Sequence, residues 1–177
     1  MSPLRRIVLG TVGILVLLAL IAESASAHDH KPPRVVLRSG HAEQRARLGT
    51  YCWTSAADEP GFFSTICADA VWSFPRAERA KAGKTATITI YKTTAADKLH
   101  LTRWRSVDEN GYPMGDGRRI RYDVAPTTID GSIAYEVTFE LPSRPGHLYI
   151  DMFGRWADTE GAGNEQDADY TMHLKLH

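Results

Sequence analysis

The chain has 177 residues, with 21 Lys plus Arg against 21 Asp plus Glu, so its formal net charge is zero. That balance offers no electrostatic footprint for nucleic acid or for an acidic surface. Once a cleavable leader is set aside, about 150 residues remain, the size of one ordinary domain with its own core.

Met1 to Arg6 carries Arg5 and Arg6 and no acid, and Ile7 to Ala22 is almost wholly apolar. Ser24-Ala25-Ser26-Ala27 ends in a small-x-small cleavage pattern. Together these describe a secretory signal peptide over residues 1–27. The expected destination is secreted, periplasmic or at the cell envelope, with no membrane insertion after cleavage. An uncleaved anchor is the competing reading, but the apolar run is shorter than the roughly 20 residues a spanning helix needs. The Arg5-Arg6 pair invites a twin-arginine reading, which its neighbours fit poorly. No cysteine follows the cleavage site, which argues against a lipoprotein. Loss of the leader removes Arg5, Arg6 and Glu23 and leaves the chain near neutral.

Residues 28–33, HDHKPP, form a polar lead-in, and a β-domain is expected over 34–177. Arg34 to Leu37 reads as a short strand, and Ser39 to Leu48 as a loop or a bent strand. The stretch 49–69, GTYCWTSAADEPGFFSTICAD, holds both cysteines in two strand-like runs around Asp58, Pro60 and Gly61. It predicts a hairpin stapled by Cys52–Cys67, since two cysteines in an exported chain pair with each other. The closed loop is short, which sets the staple at roughly 3 kcal/mol. Val71 to Pro75 reads as a continuation of the second hairpin strand, ended by the proline. Ala77 to Gly83 has helix-forming composition but is too short to stand alone, so a connector ending at Gly83 is expected.

Thr85 to Tyr91 alternates with period two, as does Lys98 to Trp104. Asn110-Gly111, Pro113 and Gly115-Asp116-Gly117 mark a turn-rich loop. Arg119 to Val124 reads as a polar strand near an edge. Ile133, Tyr135, Val137, Phe139 and Leu141 alternate up to Pro142. Leu148, Ile150 and Met152 alternate up to Trp156, and Tyr170, Met172, Leu174 and Leu176 close the chain. About eight short strands with regular turn signals and no amphipathic helix predict an all-β, antiparallel, immunoglobulin-like β-sandwich. A closed barrel fits the same pattern.

The hairpin at 49–69 combines with Leu-Pro-Ser-Arg-Pro-Gly-His-Leu-Tyr-Ile at 141–150, Trp156, an acidic loop and Ala-Asp-Tyr at 168–170. The combination resembles small exported bacterial proteins with immunoglobulin-like β-sandwich domains. The resemblance implies fold and export, and no catalytic residue.

Cleavage after Ala27 exposes His28-Asp29-His30. A free amine, two backbone nitrogens and His30 form a square-planar set suited to copper. An N-terminal His28 can also chelate through its amine and ring, with a partner among His41, His100, His147 and His173. That second arrangement resembles exported copper-binding β-sandwiches and copper monooxygenases. No other cofactor is expected. The loop with Asp158, Glu160, Asn164, Glu165, Asp167 and Asp169 offers hard oxygen ligands for calcium, although its spacing is not that of an EF-hand. Arg103-Trp104-Arg105, with Tyr91 and His100 on adjoining strands, is a candidate binding site for a glycan or a protein partner. The alternative for Trp104 is a packed position at the rim of the core. No nucleophile-elbow pattern occurs, and a triad could arise only from distant residues. The sequence therefore points to an exported, non-enzymatic binding protein, with a copper-binding protein and a hydrolase as the alternatives.

Overall fold

The computed structural model describes residues 31–56, 62–70, 72–157 and 166–177. These fold into two sheets without a helix. The first holds β1 (Arg34–Ser39), β2 (Ala42–Arg45), β6 (Thr85–Tyr91), β9 (Asp123–Ile129) and β10 (Ser132–Glu140), in the order β2-β1-β6-β10-β9. The second holds β3 (Arg47–Ala56), β4 (Phe63–Ala68), β7 (Lys98–Trp104), β8 (Arg118–Arg119), β11 (Gly146–Trp156) and β12 (Gln166–Leu176), in the order β4-β3-β12-β11-β7-β8. A short β5 (Glu78–Ala80) adds to β12 in parallel, and every other pairing is antiparallel.

One apolar cluster fills the space between the sheets. Leu37, Ile88 and Val137 enter it from the first sheet, and Leu101, Ile150 and Met172 from the second. Each lies on the inward face of an alternating strand, so burying two apolar faces against each other produces the sandwich. Two separate sheets rule out the closed barrel. Trp53 and Trp156 meet in the core at a centroid distance of 5.7 Å, with planes tilted by 59°.

Gln44 solves a local problem at the edge of β12. Its neighbour on that edge changes from β3, which ends its pairing at Thr171, to β5, which begins at Leu174. Between them the His173 backbone has no strand partner on that edge, while β11 pairs with it on the other. The Gln44 side chain takes that place: Nε2 donates to the His173 carbonyl at 3.1 Å, and the His173 N–H donates to Oε1 at 2.7 Å. An amide side chain carries a donor and an acceptor, as a backbone unit does.

Several expectations need correction. Among the described residues twelve strands occur where about eight were expected. Strands of two to four residues, such as β8, β5 and β2, are too short to show a period. Residues 39–48 contain a turn at Gly40-His41 and two strands that lie in different sheets. Residues 72–75 do not extend β4; they run irregularly across the outer face of the second sheet. Residues 119–124 are split between β8 in one sheet and β9 in the other. Ile133 shares the face of Val137 and Phe139 as expected but is half exposed at the start of β10, and the buried Ala134 lies on the opposite face. The positions of Trp53 and Trp72 beside the two cysteines in sequence suggest packing on the disulfide; their ring contacts are with Trp156 and Trp104.

Cys52 and Cys67 form the expected disulfide, directly opposite each other on β3 and β4. Phe63 to Cys67 are all exposed, so β4 is held by its ladder and its staple and has no core contact of its own. Replacing both cysteines with alanine is expected to cost about 3 kcal/mol and to leave a folded domain, because the sandwich core does not involve β4. Amide exchange should show β4 losing protection while β6 and β12 keep theirs. Global unfolding of that variant at room temperature is the opposite result.

Candidate functional site

The β7–β8 edge carries the basic residues singled out in the sequence. Arg103 on β7 stands directly opposite Arg118 on β8. Like charges at directly opposed positions destabilise a sheet, so the fold alone gives no reason for this pair. Trp104 and Arg105 follow on the same chain. Together with Arg144 from the β10–β11 connection and His147 at the start of β11, these side chains line a groove of about 480 Å³. Arg103 also lines an adjoining hollow of about 540 Å³, to which Arg119 and Arg121 contribute. Asp116 lies in the groove and Asp123 and Glu140 in the hollow. None of these acids pairs with an arginine among the described residues; Arg38 and Glu43 form an ion pair elsewhere on the molecule.

Trp104 is half-buried, at the rim. Its ring meets Trp72 edge-on at 5.6 Å, and Trp72 in turn packs near Phe74. Gly117 lets the chain pass close over Trp104, since a Cβ there would come within 2.8 Å of the indole. His100 lies on the same face of β7 as Trp104, stacked on Phe153 and hydrogen-bonded to Arg119. Burial holds its pKa below the ordinary value, and the charges of Arg119 and Lys98 add to this. Tyr91 is on β6 in the other sheet, so it does not adjoin His100.

The aromatic wall rests on the segment from Trp72 to Ala77, a strap across the outer face of β11 and β12. Thr171 Oγ1 donates to the Ser73 carbonyl at 2.7 Å, and Gln44 Nε2 donates to the Arg76 carbonyl at 2.7 Å. The Arg47 guanidinium donates to Ser73 Oγ at 2.6 Å. Phe74 meets Tyr149 edge-on at 5.1 Å. Beside it, His147 Nδ1 and His173 Nε2 are 2.9 Å apart, and the His173 ring stacks on Tyr149. Burial lowers the His173 pKa; the Pro75 carbonyl opposes this and His147 reinforces it.

Beneath the strap, Asp151 and Asp169 project from neighbouring strands toward one small cavity. Burial, and then the charge of Asp169, push the Asp151 carboxyl up to about 7. Burial and the charge of Asp167 push Asp169 up to about 6. Periodicity places both residues on the outward face of their strands, which normally means solvent. The strap that covers them has no periodic signal, so the sequence reading missed Asp151 and named Asp169 only as part of the acidic loop.

His28 and His30 lie outside the described residues, as do Asp158, Glu160, Asn164 and Glu165 of the acidic loop. Asp167 from that loop accepts a hydrogen bond from the Cys52 N–H at 3.2 Å. His100 bonds Arg119, His147 bonds His173, and His173 also bonds the Pro75 carbonyl. None of these partners is a serine. A larger open hollow of about 980 Å³ surrounds β5, but no Trp, Tyr or Phe lines it. The candidate site is therefore the arginine-rich groove with Trp104 on its wall. No protein-family model matches the chain, and no curated protein matches it significantly, so its functional reading rests on this site.

Proposed function

We propose that the chain is an exported, non-enzymatic binding module of immunoglobulin-like type that grips an acidic glycan in the Arg103–Trp104–Arg105 groove. The opposed Arg103–Arg118 pair carries this reading. Guanidinium groups without acid partners form bidentate contacts with carboxylate or sulfate, and an indole beside them offers a flat apolar face to a sugar ring. The strand order supports the immunoglobulin-like type. β1-β6-β10-β9 follows the A-B-E-D order, and β12-β11-β7-β8 follows G-F-C-C′. The β2–β4 segment is then an insertion ahead of β5. Export rests on the leader pattern and on the disulfide, which suits an oxidising compartment. Among the described residues, no helix is long and apolar enough to cross a membrane.

Titration with a galacturonate hexasaccharide, followed by tryptophan fluorescence and calorimetry, tests the reading. Arg103→Ala and Trp104→Ala should each weaken binding about tenfold or more, as central anchors do. Arg38→Ala, in the remote ion pair, should leave it unchanged. Added salt should weaken binding, because the contacts are charged. Equal binding of a neutral galactose oligomer, or no response to the groove variants, defeats the proposal.

A further inference from the structure

A buried carboxylate is normally paired or hydrogen-bonded. Asp151 is neither. The residue is only 9% exposed, and its Oδ1 is buried without a hydrogen-bond partner among the described residues. The cavity it lines, together with Asp169, measures about 10 Å³. That is close to the space one water or one small ion occupies.

The surroundings are oxygen-rich. Thr171 Oγ1 lines the cavity and spends its proton on the Ser73 carbonyl, which leaves its lone pairs free to ligate. Gly49 brings β3 against Asp169, where a Cβ would sit 3.3 Å from the Asp169 Cβ and carbonyl oxygen. The charged groups facing the cavity are Asp151 on β11, Asp169 on β12 and Arg47 on β3, with Asp167 acting on Asp169 from further along β12. Arg47 does not neutralise the pair: its guanidinium bonds Ser73 Oγ, and no ion pair joins it to either carboxylate among the described residues. Two acids and one base face the cavity, which is net negative once both acids are ionised and is closed over by the strap.

We propose that Asp151 and Asp169 bind a calcium ion beneath the Trp72–Ala77 strap. Calcium takes hard oxygen ligands in flexible geometry, and carboxylates with a hydroxyl, carbonyls and water meet that demand. The ion ties β11 and β12 to the strap through Thr171 and Ser73. It thereby holds Trp72 against Trp104, on the wall of the arginine groove. The site differs from the acidic loop expected from the sequence, and shares only Asp169 with it.

The test uses the full exported chain without any glycan, so its result is independent of the groove reading. Protein stripped with EDTA is titrated with calcium chloride at pH 7.5, followed by calorimetry and by thermal unfolding. The wild type should bind one calcium per chain and melt at a higher temperature with calcium than in EDTA. Asp151→Asn should bind at least about tenfold more weakly and lose the thermal response, since ligand charge sets calcium affinity. Asp169→Asn serves as a second variant, and cooperative melting of each in EDTA establishes that it is folded. A wild-type melting temperature that is the same in calcium and EDTA overturns the proposal. An undiminished calcium response in both folded variants overturns it equally.

Discussion

In EDTA, Asp151→Asn should be more stable than the wild type at pH 8, by about 3 kcal/mol, and the gap should close as the pH falls toward 4. The sign follows from the direction of the shifts. Asp151 rises from 3.8 to about 7 in the folded protein, chiefly by burial, and Asp169 rises to about 6. A raised carboxyl keeps its proton in the native state while the unfolded chain has already lost it. The native state is therefore favoured at low pH, and that advantage drains away between about pH 4 and 7. Asparagine keeps the shape and carries no charge, so the variant lacks this loss. His173 works the other way: its pKa is lowered by burial, so protonation of the unfolded chain below about 6.5 erodes stability as the pH falls. His100 has the same direction. The histidines are common to both proteins, and the difference between the two urea profiles isolates the carboxylate. Parallel profiles from pH 4.5 to 8 would show that Asp151 is ionised at no cost. With calcium present the wild type should recover at pH 8 and the variant should not, so one substitution stabilises the metal-free protein and removes its response to the ion.

Trp156→Ala should cost about 4 kcal/mol, the range for removing a large aromatic from a core. Trp156 is fully buried and its ring leans on Trp53, which has the Lys92 ammonium 4.7 Å from its ring centroid. Loss of the indole therefore opens a cavity beneath a buried cation. The change to phenylalanine should be milder, about 2 kcal/mol, because less buried apolar volume is lost. The Trp156 Nε1 is buried without a hydrogen-bond partner among the described residues, so the ring without that N–H gives up no hydrogen bond. Urea titrations with unchanged slopes would compare the two. Equal losses for both variants would mean that the indole shape, and not apolar volume, holds this end of the core.

The strands that are legible in the sequence are those with one apolar and one polar face. Thr85–Tyr91 and Lys98–Trp104 have their expected limits because alternation over seven residues has no competing reading. Ile133 shows where that logic stops: it shares the face of Val137 and Phe139, yet at the start of β10 it is half exposed, because alternation gives the side of a strand and not how far the opposite sheet covers it. The basic triplet Arg103-Trp104-Arg105 was visible because it is contiguous. Its partners Arg118 and Arg144 were not, since one reaches the groove by cross-strand register and the other from the connection between β10 and β11.

The sequence by itself determined the all-β class and the Cys52–Cys67 pairing. Both follow from local chemistry: side-chain alternation, turn residues and the presence of two cysteines. Tertiary structure alone decided which charges meet. It set Arg103 against Arg118 and turned the outward-facing Asp151 into a buried acid by laying residues 72–77 over it. The physical reason is that register and burial are properties of pairs of segments. Charge placement at this site depends on neighbours far away in the chain, and a period read along one strand contains no record of them.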